Sequence, residues 1–427
     1  MMMPKQHIQH RNQGRVTVIG AGIIGLCAAY YLVKAGFKVT LLEQGNLTDN
    51  CSSGNAGMIV PSHFVPLAAP GMISKGIKWM FNSKSPFYVK PSLNPSLLSW
   101  GVKFWQHANQ QHLERTAAPL RDLHLLSKHL YDELAREPDL DFGLAKKGIL
   151  MLFKSEATGE EEIHVAQKAQ QLGLDVGILN AKETQLLEPD TKLDVLGAIH
   201  YRCDAHLSPG DLVNQLINYL ANNGAEIVTN CRVNGFNIAN GKIKSIHTNV
   251  SNFEVDTVVM TGGSWLAELA KKAGLNIPIM PGKGYSFMVE QNAHQISHPS
   301  LLLEARVALT PMNGKIRFGG TMEIAPINHQ INMNRVEGIV NSIPNYYPDY
   351  KVDVPQIKDI WYGFRPCSPD GLPYIGYAKD ISNLIVAGGH GMMGLSLAPA
   401  TGKLVSELAK GEKLSTAIDQ YDARRFD

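Results

Sequence analysis

The chain has 427 residues and a formal charge of +2, so acidic and basic side chains nearly balance. That length accommodates two domains with sizeable cores, and the balance gives no global attraction to nucleic acid. Five cysteines without a C-x-x-C pair argue against a disulfide or zinc framework and for a reducing, cytoplasmic compartment.

Residues 1–14 are polar, lack the apolar core of a secretory signal and read as a disordered leader. No uninterrupted apolar run is long enough to span a bilayer. Val16–Ile19 is a short apolar strand that runs into Gly20-Ala21-Gly22-Ile23-Ile24-Gly25. In this G-x-G-x-x-G pattern Gly20 permits a tight turn, Gly22 lets a pyrophosphate approach the backbone, and Gly25 lets the helix pack on the strand. The helix Ile23–Ala35 aims its N-terminal N–H groups and dipole at the phosphates, and Gly36 stops it. Lys38–Leu42 is the second strand. Glu43 at its end, followed by Gln44, is placed to accept hydrogen bonds from adenosine ribose and to repel a 2′-phosphate.

The loop Ser52-Ser53-Gly54-Asn55-Ala56-Gly57 combines small residues with hydrogen-bond donors, as a closely approaching ligand requires. Residues 63–105 interleave Trp79, Trp100, Trp105, Phe81, Phe87, Tyr88 and Phe104 with lysines 75, 78, 84, 90 and 103, and prolines interrupt any long helix. This segment is a candidate peripheral membrane contact. A long amphipathic helix is predicted over 112–136, a strand over 148–153, a helix over 160–172 and a strand over 176–179. Ser208 and Pro209 open a helix to Asn222, and Asn240-Gly241 turns a hairpin between 231–238 and 242–248. Phe253–Met260 reads as one strand ending in Thr261-Gly262-Gly263-Ser264-Trp265. Strands follow at 284–290, 308–311 and 315–320, then a helix at 332–342. The last strand, Leu384–Ala387, leads through Gly388-Gly389-His390-Gly391-Met392-Met393-Gly394 into helix 395–409. His294 and His298 have i,i+4 spacing, but their Gln/Asn-rich surroundings and Pro299 indicate a loop, so no metal site is assigned.

Gly-rich turns at 54–57, 262–263 and 388–394 favour a flavin over nicotinamide, because a flavin buried lengthwise needs backbone contacts from several separated segments. The N-terminus of the last helix suits the flavin edge that gains negative charge on reduction.

In order, the fingerprint with Glu43, the loop at 52–57, Thr261-Gly262-Gly263-Ser264-Trp265, the segment Gly363–Gly376 and Gly388-Gly389-His390-Gly391 resemble the D-amino-acid oxidase superfamily of FAD-dependent amine oxidoreductases over nearly the whole chain. Asn55-Ala56-Gly57, Ala68-Ala69-Pro70-Gly71, Pro91-Ser92-Leu93 and Lys283-Gly284-Tyr285-Ser286 are similar to bacterial D-amino-acid dehydrogenases of the small-subunit type, and D-hydroxyproline or D-proline dehydrogenases share the pattern.

The resemblance implies an α/β fold: a Rossmann-like FAD-binding domain (15–62, 203–275 and 365–427) interrupted by a substrate domain with a mixed sheet and helices (63–202 and 276–364). It implies that Arg365 binds the substrate carboxylate, by the bidentate pairing that favours Arg over Lys. Val233 would meet adenine through its backbone. Arg306 would replace a tyrosine hydroxyl that assists the carboxylate, with Tyr285 and His63 as further substrate-side candidates. At Met392 glycine oxidases carry a second arginine. Cys367 is out of register with the cysteine to which sarcosine oxidases attach flavin, which implies non-covalent FAD. The implied reaction moves hydride from Cα of a D-amino acid or cyclic imino acid to flavin N5, giving an imine and then a keto acid, with a membrane quinone as one candidate electron acceptor. Competing readings are a glycine- or sarcosine-type oxidase that uses oxygen, and a flavin-binding protein without turnover.

Overall fold

The computed structural model describes residues 14–48, 50–71, 87–89, 94–291 and 293–426. The polar leader, Lys75, Lys78, Trp79, Phe81, Lys84, Lys90 and Pro91-Ser92-Leu93 lie outside them.

Two sheets organise the chain. The first has six strands in the order Tyr374–Tyr377, Leu384–Gly388, Thr257–Met260, Arg15–Ile19, Lys38–Leu42, Glu226–Val228. Its neighbours are parallel except for the antiparallel edge strand Tyr374–Tyr377. Both faces are covered, which explains why its strands read as continuous apolar runs. Val18, Leu41, Val259 and Ile385 pack on one side with helices Ile23–Lys34, Pro209–Asn222 and Gly394–Lys410. Ile19, Leu42, Met260 and Val386 pack on the other, with helix Leu266–Lys272 and the small sheet that contains Ile243 and Ile246.

The second sheet runs Trp361–Cys367, Met280–Glu290, Lys315–Ile324, Val307–Met312, Ser300–Leu302, Ile149–Phe153, Gly197–Tyr201, Val176–Asn180, with Phe87–Val89 alongside Met322–Ile324. Helix Met333–Tyr346 covers part of one face through Val336, Ile339 and Ile343.

Several elements depart from the sequence reading. The run 253–260 is two strands: Asn252–Glu254 belongs to the small sheet and Thr257–Met260 to the six-stranded one. Ser208 occupies the N-cap position of its helix without a side-chain capping bond. Pro95 does not break a helix but starts one. Pro95–His107 has proline in its first turn and the Asn94 side chain accepting from the N–H groups of Ser96 and Leu97. The Trp361–Cys367 strand pairs along its whole length with Met280–Ser286, so the expected domain boundary at 365 falls inside a strand of the second sheet. Helix Gln110–Leu134, placed with the substrate segment by chain order, packs there through Ala117 but also on helix Gly394–Lys410, and its Tyr131 hydroxyl donates to the Leu395 carbonyl at 2.6 Å.

Helices Ile23–Lys34 and Gly394–Lys410 meet backbone to backbone at Gly402, where an added Cβ would stand 2.6 Å from the Cys27 carbonyl. Gly402→Ala is therefore expected to destabilise the fold by about 1–3 kcal/mol, as overpacking does. Gly101→Ala, whose new methyl meets nothing within 4 Å in its helix, should stabilise by about 0.4–1 kcal/mol. Thermal unfolding followed by circular dichroism checks both signs.

Candidate active site

One cavity of about 840 Å³ is bounded by both sheets, within the size range of ligand clefts. At the six-stranded sheet its wall includes Gly20, Gly22, Ile23 and Ile24 of the first turn, and Glu43 with Gln44. Backbone geometry explains the glycines unequally. Gly20 has φ +107 and lies against Thr261, whose carbonyl would be 2.8 Å from a Cβ. The Thr261 hydroxyl is 2.9 Å from the carbonyls of both Ile19 and Gly20 and ties the two strand ends together. A Cβ on Gly25 would come within 1.8 Å of the Gly20 carbonyl, so only glycine lets the helix start this close to the strand. Gly22 has φ −70, which any residue adopts, and among the described residues an added Cβ would meet within 4 Å just the Ser52 hydroxyl, at 3.7 Å. Protein packing does not demand glycine there. The space in front of it is cavity, which fits a cofactor pressed against the backbone.

Glu43 is partly engaged by the protein: one oxygen accepts from Ala21 N at 2.7 Å and the other from Gly45 N at 2.9 Å. A carboxylate has about four lone-pair sites, so acceptor capacity is left for ribose hydroxyls. Ser52 accepts from the Ile23 N–H at 3.0 Å, at the first turn of the helix. Arg317 donates to the carbonyls of Ser53 and Asn55 and so pins the loop, and burial pulls its pKa down to about 10. Gly54 lies under the Trp361 ring, which a Cβ would strike at 2.0 Å.

The second helix N-terminus, Gly394–Leu395, closes the cavity together with Gly391, Met392 and Met393. The His390 ring turns away into the protein, 2.9 Å from the Thr401 hydroxyl, and desolvation takes its pKa down to about 3, so only its backbone faces a ligand. Val233 lines the wall, but its carbonyl accepts from Lys272 at 2.9 Å. Ala21, Gly25, Ser53, Gly57 and Gly389 are absent from the wall. Gly57 and Gly389 have positive φ and sit against the Leu207 carbonyl and the Tyr374 ring, so their glycines serve the fold. Asn55, Ala56, Gly262, Gly263 and Trp265 do line it.

The second sheet supplies the other end. Arg365 is half-buried, and its Nη1 donates to the Thr321 carbonyl at 2.9 Å. Gly284 on the neighbouring strand makes room for it, because a Cβ there would be 2.0 Å from the same nitrogen. Burial lowers the guanidinium pKa from its ordinary value, and among the described residues no carboxylate pairs with Arg365 or with Arg306, which shares the cavity wall. His63 lines the wall too, with Nδ1 3.1 Å from the Ser62 hydroxyl. Desolvation, then the charge of Arg306, lower its pKa to about 4. The Tyr285 ring is buried and its hydroxyl accepts from Asn332 N at 3.2 Å. Cys367 is buried outside the cavity wall, and desolvation pushes its thiol up to about 12.

Sequence reasoning missed Ser52 as a cap, Gly284 as a spacer, Trp361 as a cover and Thr321 as the group that orients Arg365. The only signal for Thr321 was the Gly319-Gly320 pair before it. Among the described residues no cluster fits a metal ion, and no helix is long and apolar enough to cross a membrane.

A fingerprint turn at one sheet and, at the other, an arginine without a carboxylate partner among the described residues fit a dinucleotide-dependent oxidoreductase. Residues 15–408 match the family model for FAD dependent oxidoreductases, and the chain belongs to that family. It is 30% identical over 400 residues to a D-amino acid dehydrogenase of Helicobacter pylori strain J99, covering 92% of this chain and 94% of that protein. A D-amino acid dehydrogenase of Vibrio atlanticus is 29% identical over 424 residues, covering 96% and 99%. Among solved structures, glycine oxidase from Geobacillus kaustophilus superposes with a TM-score of 0.76 at 23% identity, covering 97% of this chain and 99% of that one. L-Proline dehydrogenase from P. horikoshii gives 0.71 at 21%, covering 97% and 98%.

Because no packing conflict surrounds Gly22, Gly22→Val should fold yet lose FAD. An unchanged far-ultraviolet circular dichroism spectrum with loss of the bound-flavin absorbance is the expected result. Full flavin content in the variant would remove Gly22 from the cofactor site.

Proposed function

We propose that this protein oxidises the Cα–N bond of a D-amino acid, or of a cyclic secondary amine such as D-proline, to the imine, which water converts to the keto acid or which stays cyclic. The observation that carries this reading is Arg365: a guanidinium in the cavity, oriented by the protein and without a carboxylate partner among the described residues. A ligand carboxylate would complete it. The relatives at 29–30% identity that are named D-amino acid dehydrogenase support the same substrate class.

When bound, FAD supplies a two-electron acceptor for the hydrogen on Cα. The protein's part is positioning. Arg365 fixes the carboxylate, and the Thr321 carbonyl and Gly284 fix Arg365. Arg306 adds a second positive charge to the same wall. The N-terminus of helix Gly394–Lys410 favours negative charge at the cavity side it faces. Cys367 points elsewhere, which supports non-covalent FAD, and acid denaturation should then release all the yellow colour.

Arg365→Leu should keep FAD and raise KM, with kcat/KM falling about 30- to 1000-fold, equivalent to ~2–4 kcal/mol for losing a charged hydrogen-bond partner. The wild type should bleach when mixed anaerobically with D- but not L-amino acids. Failure of every D-amino acid to bleach it would refute the reading.

For the electron acceptor we propose a quinone reached at a membrane surface, on the inner face of the cytoplasmic membrane. Helix Pro95–His107 exposes Leu98, Val102 and Trp105 at 55%, 56% and 66%, at the i, i+4, i+7 spacing of one face. On its other face Trp100 donates to the Cys367 carbonyl at 2.8 Å, which seats the helix beside the Arg365 strand. An exposed Trp with aliphatic neighbours suits the bilayer interface. The wild type should float with phosphatidylglycerol vesicles, and the triple variant Leu98→Ser, Val102→Ser, Trp105→Ser should not. If the wild type does not float and turns over no faster with quinone analogues than with oxygen, the membrane reading is wrong.

A further inference from the structure

A substrate ammonium must lose a proton before its nitrogen lone pair can assist oxidation at Cα, and one wall of the cavity holds a chain of groups suited to taking it. His63 lines the cavity, and among the described residues the hydrogen bond of its ring is made at Nδ1, not Nε2. Its Nδ1 is 3.1 Å from the Ser62 hydroxyl. That hydroxyl donates to Asp204 Oδ2 at 2.6 Å, and the Ser62 N–H donates to Oδ1 at 3.0 Å. The Ser62 proton being committed to the carboxylate, the remaining bond requires the Nδ1–H tautomer of His63, which leaves Nε2 a free acceptor toward the cavity. Asp204 is fully buried, so the file His63, Ser62, Asp204 leads from the ligand space into the interior.

We infer that His63, Ser62 and Asp204 form a proton relay that deprotonates the ammonium group of the bound substrate. This rests on the amine-oxidation reading above. In the relay, Nε2 takes the ammonium proton, Nδ1–H passes to the Ser62 oxygen, and the Ser62 O–H proton passes to Asp204 Oδ2. The products are the neutral amine, a neutral imidazole in the opposite tautomer and a buried carboxylic acid; no oxidant or other reactant is consumed. His63 never carries a net charge, which matches its site beside Arg306 and near the buried His124, where an imidazolium is disfavoured. Asp204 is a suitable terminus because desolvation raises its carboxyl to about 7, against the opposing hydrogen bonds of Ser62 and Cys203 and the charge of Lys128; the Tyr201 hydroxyl is its other titratable neighbour. It therefore accepts a proton near neutrality.

Two readouts test the relay with the FAD-loaded enzyme and D-proline as probe. The first is the anaerobic rate of flavin bleaching against pH for wild type, Ser62→Ala and Asp204→Asn. The relay requires a defect of at least tenfold at pH 7 that shrinks below threefold at pH 10, where the substrate increasingly arrives as free amine. A defect equal at both pH values, or none in either variant, overturns it. The second is the infrared difference spectrum on anaerobic mixing. The carbonyl band of a buried protonated carboxyl should appear in wild type and vanish in Asp204→Asn; its absence in wild type also overturns the relay. Ser62→Ala leaves the buried acid in place and covers the case in which Asp204→Asn does not fold. If wild type itself fails to bleach with D-proline and every other D-amino acid, the amine-oxidation reading falls and the relay with it, an outcome distinct from a defect confined to the variants.

Discussion

The hydrogen bond from Arg365 to the Thr321 carbonyl depends on a flaw in the sheet. Lys283 pairs with Glu323, but the next pair along the ladder is Tyr285 with Gly320. Gly284 thus opposes two residues, Thr321 and Met322, and the strand Lys315–Ile324 bulges. A bulge re-aims groups that a regular ladder would spend on pairing. Here it leaves the Thr321 carbonyl free for the guanidinium, and the absent Gly284 side chain leaves the guanidinium its space. Taking an arginine out of water without a carboxylate costs several kcal/mol unless its N–H groups are met. One backbone carbonyl meets part of that need, and a carboxylate ligand of the kind proposed would meet the rest.

The two ends of the cavity solve opposite electrostatic problems with different material. Toward the six-stranded sheet, backbone N–H groups at two helix starts supply partial positive charge without side chains, so a large cofactor can lie close to the chain. Glu43 sits there with its own charge already shared between two backbone donors. Toward the second sheet, full positive charges stand on arginines, suited to a small ligand that is bound and released. Helix Gln110–Leu134 ties the halves together. It carries His124, bonded to Ser396 of the last helix at 2.9 Å, and Ser396 in turn accepts from Val60 N, two residues before Ser62.

What was legible in the sequence was local. The fingerprint turn, the acid after the second strand and the final Gly-rich turn are set by residues adjacent in the chain, so period and glycine spacing revealed them. Arg365 was legible only through a motif, since nothing in its neighbourhood shows that it faces a cavity. Gly284 and Thr321 act through cross-strand register, which no local pattern encodes. The same limit explains the 253–260 run. Its apolar periodicity is continuous, but the chain leaves one sheet at Glu254 and enters another at Thr257. Pro95 misled because proline is a breaker inside a helix and a starter in its first turn, and the deciding residue was Asn94 before it.

Strain is concentrated where the two arginines meet the cavity. Val307 pairs with Gly320, so Arg306, the last residue of the turn that leads into strand Val307–Met312, stands beside Thr321 at the bulge. Both have left-handed backbones, φ +53 and +61, and Thr321 is β-branched. Such conformations cost of order 1–3 kcal/mol each and persist only where the surroundings impose them. The Thr321 hydroxyl is also buried without a hydrogen-bond partner. Relaxing Thr321 to an extended backbone would regularise the bulge that frees its carbonyl for Arg365. The turn therefore presents Arg306, and the bulge beside it orients Arg365, toward the same cavity.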